Sequence, residues 1–168
     1  MVRAVKGPAY VLSGLSSGVC TATDVALWKN PAFRLLAISV SDLLLHASPS
    51  ADASPKQVVG YVHAFETQID GERYLTLPGI NPSAEFLGQV DPEVFYDQVM
   101  NRIIALAEVG GYDGVYIPTH PNIHSNRGDI QRAIRRRNYR RIQIPSVQWN
   151  TLPDPYPFTE VFVVWERE

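Results

Sequence analysis

The chain has 168 residues, about one average domain's worth, with 45% apolar and 19% charged residues, which excludes a disordered segment and leaves room for a sizeable core. Fifteen Lys and Arg against 17 Asp and Glu give a formal charge of −2, so no global pull toward nucleic acid or an anionic membrane is expected. The single cysteine, Cys20, rules out an internal disulfide framework and a four-cysteine zinc site. No apolar run approaches the ~18 residues of a membrane-spanning helix. Arg3 and Lys6 have no apolar segment behind them, so a signal peptide is not expected and a reducing, cytoplasmic setting is.

In chain order, residues 1–32 form an N-terminal segment whose one expected element is a short helix near Thr23–Lys29. FRLLAISVSDLLL (33–45) is rich in apolar and β-branched residues and predicts a strand. HASPSADASPKQ (46–57) has the composition of a mobile surface loop. Two further strands, 58–69 and 72–80, flank Asp70-Gly71, a tight-turn dipeptide that predicts a hairpin. Asp91-Pro92-Glu93 opens a helix: Asp91 can cap it, Pro92 suits its first position, and Glu93 complements the dipole. Phe95, Val99, Ile103 and Leu106 recur at helical spacing until Gly110-Gly111 ends it. GVYIPT (114–119) predicts a short buried strand, 125–137 a second helix capped by Ser125 or Asn126, and 141–149 and 160–165 the last strands. The thirteen prolines gather between these elements. The expected fold is a single α/β domain of the α+β type over 1–168, with helices packed on a mixed, mainly antiparallel sheet.

Charge is unevenly placed. Residues 127–141 carry seven arginines against the single Asp129, a net of +6, which leaves the rest of the chain at −8. Arg132, Arg136 and Arg140 form an i, i+4, i+8 stripe. Such a face is either neutralised by the acidic remainder or binds phosphate, as a cofactor or as a nucleic-acid backbone. Trp149, Tyr156 and Phe158 are the aromatic residues that could add stacking surfaces to it.

Three sets of residues bear on chemistry. His120-Pro121-Asn122-Ile123-His124 lies between a strand end and a helix start, where sites of α/β proteins converge. Its His-x3-His spacing falls in a loop with no third ligand in view, so no metal is expected. His63 and Glu66 stand three apart on one strand and therefore face opposite sides, and either could act as a base. Cys20 sits among small residues but has no base that the sequence can place beside it.

From Phe33 to the C-terminus the order of elements and several strings resemble the GNAT superfamily of acyl-CoA-dependent N-acyltransferases. VVGYVHAF (58–65) is similar to that family's third strand, RYLTLPGINPS (73–83) to its fourth, the helix 91–110 and strand GYDGVYIPT to the elements that follow, and SNRGDIQRAIRRRNY to the next helix. The resemblance implies a V-shaped splay between the fourth and fifth strands and transfer of an acyl group from acetyl-CoA or another acyl thioester to an amine on a small molecule or a protein. It also implies catalytic candidates Glu66, His63, His120 and Tyr139, and cofactor-binding candidates Gly79, Ile80, Gly88, Gln89, Asn126, Arg132 and Arg136.

Two departures shape the expectation. The family holds the CoA pyrophosphate on a glycine-rich loop at a helix start; here Gly88-Gln89-Val90-Asp91-Pro92-Glu93 stands there, with one glycine, a residue lacking N–H, and two carboxylates. Like charges ~5 Å apart repel by roughly 3 kcal/mol at an effective dielectric near 20. Acetyl-CoA is therefore expected to bind more weakly than ~100 µM, and an acyl carrier protein becomes an alternative donor. The family's acid, a Tyr five residues before the helix-ending aromatic, falls on Ile134 when counted from Tyr139, leaving Tyr116 and Tyr139 as the nearest hydroxyls. The competing reading is a repurposed, non-catalytic domain that binds a protein or a polyanion through 127–141.

Overall fold

A computed structural model describes residues 2–5, 25–39, 58–147 and 157–168. The N-terminal Cys20, the proposed loop 46–57, the far half of the 33–45 strand, Trp149 and Tyr156 lie outside the described residues. The elements are β1 Val2–Val5, α1 Val25–Lys29, β2 Phe33–Ser39, β3 Val58–Ile69, β4 Glu72–Pro82, α2 Ala84–Leu87, α3 Pro92–Val109, β5 Gly114–Pro118, α4 Pro121–His124, α5 Gly128–Arg136, β6 Arg140–Val147 and β7 Phe158–Glu166. They form one mixed sheet in the order β1-β2-β3-β4-β5-β7-β6. Every neighbouring pair is antiparallel except β4–β5.

Local chemistry accounts for the framework. Asp70 and Gly71 both take positive φ, 52° and 89°, the geometry of a two-residue hairpin turn whose twist matches the strands, and β3 pairs with β4 from Ile69↔Glu72 outward. Asp91 caps α3 through its carboxylate, which accepts from the N–H groups of Glu93 (2.8 Å) and Val94 (3.1 Å). The other end closes at Gly111, φ 71°: the Tyr112 N–H returns to the Ala107 carbonyl and the Gly111 N–H to Glu108. The chain then enters β5, because α3 carries it back across the sheet to lie parallel beside β4.

Both faces of the sheet are covered. Leu36, Val62, Ala64, Leu75, Leu77, Val115 and Ile117 meet Phe95, Val99 and Ile103 of α3 and Ile130, Ala133 and Ile134 of α5. The opposite face gathers Phe33, Leu35, Tyr74, Tyr116 and Val161 beneath Leu27 of α1 and Ile123 of α4. Each large side chain buried this way contributes about 2 kcal/mol. Phe158, expected to offer a stacking surface, belongs to this second core and is only 4% exposed.

Several details differ from the sequence expectation. The strand β1, paired with β2, and the short helices α2 and α4 appear where no such element was expected. Neither Ser125 nor Asn126 caps α5, which starts at Gly128 with Arg127 in the cap position. Ser125 is instead drawn away to β4, as described next. No helix among the described residues is long and apolar enough to cross a membrane.

Candidate functional site

β4 and β5 pair at three positions only, Tyr74↔Gly114, Leu75↔Val115 and Thr76↔Tyr116. Beyond Thr76, β4 runs on to Pro82 with no further pairing to β5. The cause lies at Leu77 and Pro78, two residues standing opposite the single Ala64 of β3. Such a bulge bends its strand, and Pro78 has no N–H to offer a neighbour. The two parallel strands thus part into a wedge at their C-terminal ends, as the splay expectation required.

The segment running from α4 into α5 bridges this wedge with side-chain hydrogen bonds. The Ser125 hydroxyl donates to the Ile80 carbonyl (2.7 Å) and accepts from the Arg127 N–H (3.0 Å). The Asn126 N–H donates to Asn81 Oδ1 (2.9 Å), and Arg127 Nε donates to the Pro82 carbonyl (2.9 Å). Gln131 Nε2 donates to the Ser125 carbonyl (2.8 Å), tying the segment to α5. On the β5 side, His124 Nδ1 lies 2.9 Å from the Pro118 carbonyl. A carbonyl only accepts, so the proton is on Nδ1 and Nε2 carries a lone pair. His124 is wholly buried and its Nε2 has no partner among the described residues. Burial holds its pKa below the ordinary value, with the charges of Arg135 and His120 acting in the same direction and the Pro118 bond opposing.

His63 lies beneath the same stretch of β4. It pairs with Gly79, and a Cβ on that glycine would come within 3.0 Å of His63 Nδ1 and of Asn81 Nδ2. The absence of a side chain at Gly79 is what lets the imidazole pack there. The Phe33 ring meets it edge-on at 5.7 Å, and burial lowers its pKa to about 4, so it is neutral at physiological pH. His63, Gly79, Ile80 and Asn126 are therefore brought together at the wedge.

Glu66 points to the other face, as its three-residue separation from His63 required. Its carboxylate accepts from Arg34 (3.2 Å), Arg73 (3.3 Å) and the Tyr112 hydroxyl. The Arg73 guanidinium also lies over the Tyr112 ring, and burial, then Glu66, push that phenol up to about 12. A carboxylate so held is a structural tie between β3 and the end of α3.

The remaining candidates are dispersed. His120 is exposed ahead of α4, and its carbonyl accepts the Ile123 N–H. Of the two histidines in the loop, it is His124 that the fold buries. Gly88 and Gln89 direct their N–H groups into their own turn, to Ala84 and Phe86, so neither is open to a phosphate. The Tyr139 hydroxyl shares a hydrogen bond with Tyr96 (3.1 Å) between α3 and β6, and burial raises both phenols. Arg136 and Arg137 pair with Glu93, Arg137 also with Asp97 (2.5 Å), Arg132 with Asp129, and Arg140 with Glu166. Arg137 first, then Arg136, hold the Glu93 carboxyl below the usual carboxylate range. The arginine stripe is thus largely paired, and Arg136 with Arg137 links the end of α5 to the first turns of α3.

At the joined end of β4 and β5, Tyr74 stacks on Tyr116 with centroids 4.4 Å apart. The Tyr116 hydroxyl donates to Glu166 (3.0 Å) and that of Tyr74 to Glu72. A cavity of about 450 Å³ opens here among Glu72, Tyr74, Asp113, Glu166, Arg167 and Glu168.

Asn81 and Ser125 were not singled out from the sequence as site residues, and His124 only as one of the two histidines of the 120–124 loop. The His-x3-His loop pointed to the right place, but a loop has no periodicity to tell an inward from an outward side chain. No cluster of three or more metal-ligating side chains occurs among the described residues. No protein-family model matches the chain, and no curated protein matches it.

Proposed function

We propose that the chain is a GNAT-type domain that transfers an acyl group from a thioester to an amine, with the donor's arm lodged in the β4–β5 wedge. The observation that carries this reading is the wedge itself: a parallel strand pair that parts at a proline bulge, directly over a buried neutral imidazole. A slender acyl-bearing arm suits such a gap, and its thioester carbonyl would sit near Thr76 and Tyr116, where the strands separate. The amine lone pair attacks the carbonyl carbon, the N–C bond forms and the C–S bond breaks. His63 takes the amine proton, and the leaving thiolate is protonated by solvent. A positioned base of this kind contributes 10²–10⁴-fold.

Donor and acceptor follow from the surroundings. Asp91 already caps α3, and the Gly88 and Gln89 N–H groups are engaged, which favours a pantetheine-linked or carrier-bound donor over free acetyl-CoA. The acidic, tyrosine-lined cavity starts about two residues down the strands, roughly 7 Å away at 3.3 Å per residue, and would draw a cationic amine.

The test is thiol release from acyl-pantetheine, an acylated carrier protein and acetyl-CoA, with a diamine as acceptor. Release from the first two, and its fall by 100-fold or more in His63→Gln, is the expected result. If no donor releases thiol and none raises the melting point at millimolar concentration, the reading fails; saturation at 100 times Kd would stabilise by about 2.7 kcal/mol.

A further inference from the structure

We propose that the segment from His120 to Arg127 is a pH-sensitive latch on the β4–β5 wedge, held shut by neutral His124 and released when that imidazole is protonated. The latch consists of the bonds across the gap: His124 to the Pro118 carbonyl on β5, and Ser125, Asn126 and Arg127 to Ile80, Asn81 and Pro82 on β4. Closed, these bonds occupy the Ile80 and Pro82 carbonyls, the groups along which any arm entering the wedge would lie.

His124 suits the role because its two nitrogens are in different situations. Nδ1 already donates, whereas Nε2 is buried without a partner among the described residues. Protonation places a second N–H, and a full charge, where nothing accepts it. The charged groups that act on it are Arg135 from α5 and His120 from the turn before α4, both unfavourable to a cation. β5 contributes the Pro118 carbonyl, and β4 contributes Gly79 to Pro82, which have no ionisable side chain. The next titratable group is His63, across Gly79, and it stays neutral to about pH 4. A proton on His124 is therefore accommodated by moving the ring into solvent, and Ser125 to Arg127 follow it.

The latch is a property of the fold; its control of donor access rests on the acyltransferase reading above. Amide hydrogen exchange on the full chain separates the two, since it needs no substrate. Between pH 7.5 and 5.0, after correction for intrinsic rates, the Asn126 and Arg127 amides lose protection several-fold. The ceiling is about 30-fold, set by an open-state pKa near 6.5. Val62 and Leu75, in the β3–β4 ladder, keep theirs. His124→Asn retains a donor for Pro118 but does not titrate, so its protection at 126–127 is unchanged with pH. Unaltered protection in the wild type, an equal loss in His124→Asn, or a uniform loss across the sheet overturns the latch. Should that variant not fold, the imidazole nitrogen shifts of wild-type His124 give its titration midpoint directly. A midpoint that differs from that of the exchange change overturns the proposal equally.

Discussion

The two halves of β4 are held by different physics. From Tyr74 to Thr76 the strand is laddered on both edges, by β3 and by β5, and its Tyr74 is stacked on Tyr116. From Leu77 to Pro82 only β3 pairs with it, and the connecting segment reaches it through two side chains, Ser125 and Arg127, and one amide, that of Asn126. Backbone ladders open cooperatively, along with the sheet. Side-chain bridges open singly, with the segment that carries them. One strand thereby has a stretch held by backbone ladders on both edges and a stretch, the rim, held on one edge by single bonds, and the second opens at lower cost.

The comparison breaks most severely at Gly60, which faces Pro82 at the rim. A Cβ there would fall 2.6 Å from Pro82 Cα and 2.9 Å from the Asn81 carbonyl, both backbone atoms that cannot swing aside. Gly60→Ala should lose about 3 kcal/mol or more in denaturant unfolding, by strain on β3–β4 pairing at the rim.

Acid should act on the rim nearly as strongly. His63 titrates near 4 in the folded chain and near 6.5 unfolded, so the unfolded state binds more protons in between. Its contribution is complete above pH 6.5 and is lost as pH falls from 6.5 to 4, about 3 kcal/mol in all. Unfolding curves over pH 4–8 test this: His63→Gln should flatten that part of the profile, and a profile identical to wild type would show that His63 is not the group responsible.

A smaller effect is expected of Ser125→Ala, which strips the Ile80 carbonyl and the Arg127 N–H of their shared hydroxyl. About 1–2 kcal/mol should be lost. Exchange at Arg127 should quicken while Leu75 is untouched; equal quickening at both would erase the distinction between the two halves.

The smallest effect belongs to the arginine face. Arg132, Arg136 and Arg140 are mostly exposed, with side chains 56%, 69% and 59% accessible, so their pairs with Asp129, Glu93 and Glu166 contribute little each. Replacing all three with Gln should change stability by less than about 1 kcal/mol, because lost pairing and relieved like-charge repulsion oppose each other. Outright unfolding of the triple variant would place these pairs among the structural ties of α5.

Much of the fold was legible in local chemistry. The Asp70-Gly71 turn, the capped start of α3 at Asp91 and Pro92, its glycine end, and the apolar spacing of Phe95, Val99 and Ile103 are written in a few adjacent residues each, and they survive folding unchanged. The candidate site was legible only in part. His63, Gly79, Ile80 and Asn126 do converge, whereas Glu66 is bound to two arginines and His120 faces solvent. Spacing placed His63 and Glu66 on opposite faces, yet spacing alone does not say which face borders the wedge.

By itself the sequence determined the order of the main strands and helices from Phe33 onward, a hairpin, two main helices and a buried β5, because period, caps and turn residues act over a few positions. It also carried the imbalance between a basic segment and an acidic remainder. Only the tertiary structure decided that Arg136, Arg137 and Arg140 pair with Glu93, Asp97 and Glu166, since those partners lie 26 to 44 residues away along the chain. Only it decided that Pro78 splits β4 from β5, that Ser125 leaves its helix to hold a strand, and that His124 rather than His120 is sealed inside. These outcomes depend on which segments the sheet brings side by side, and no local run of residues records that.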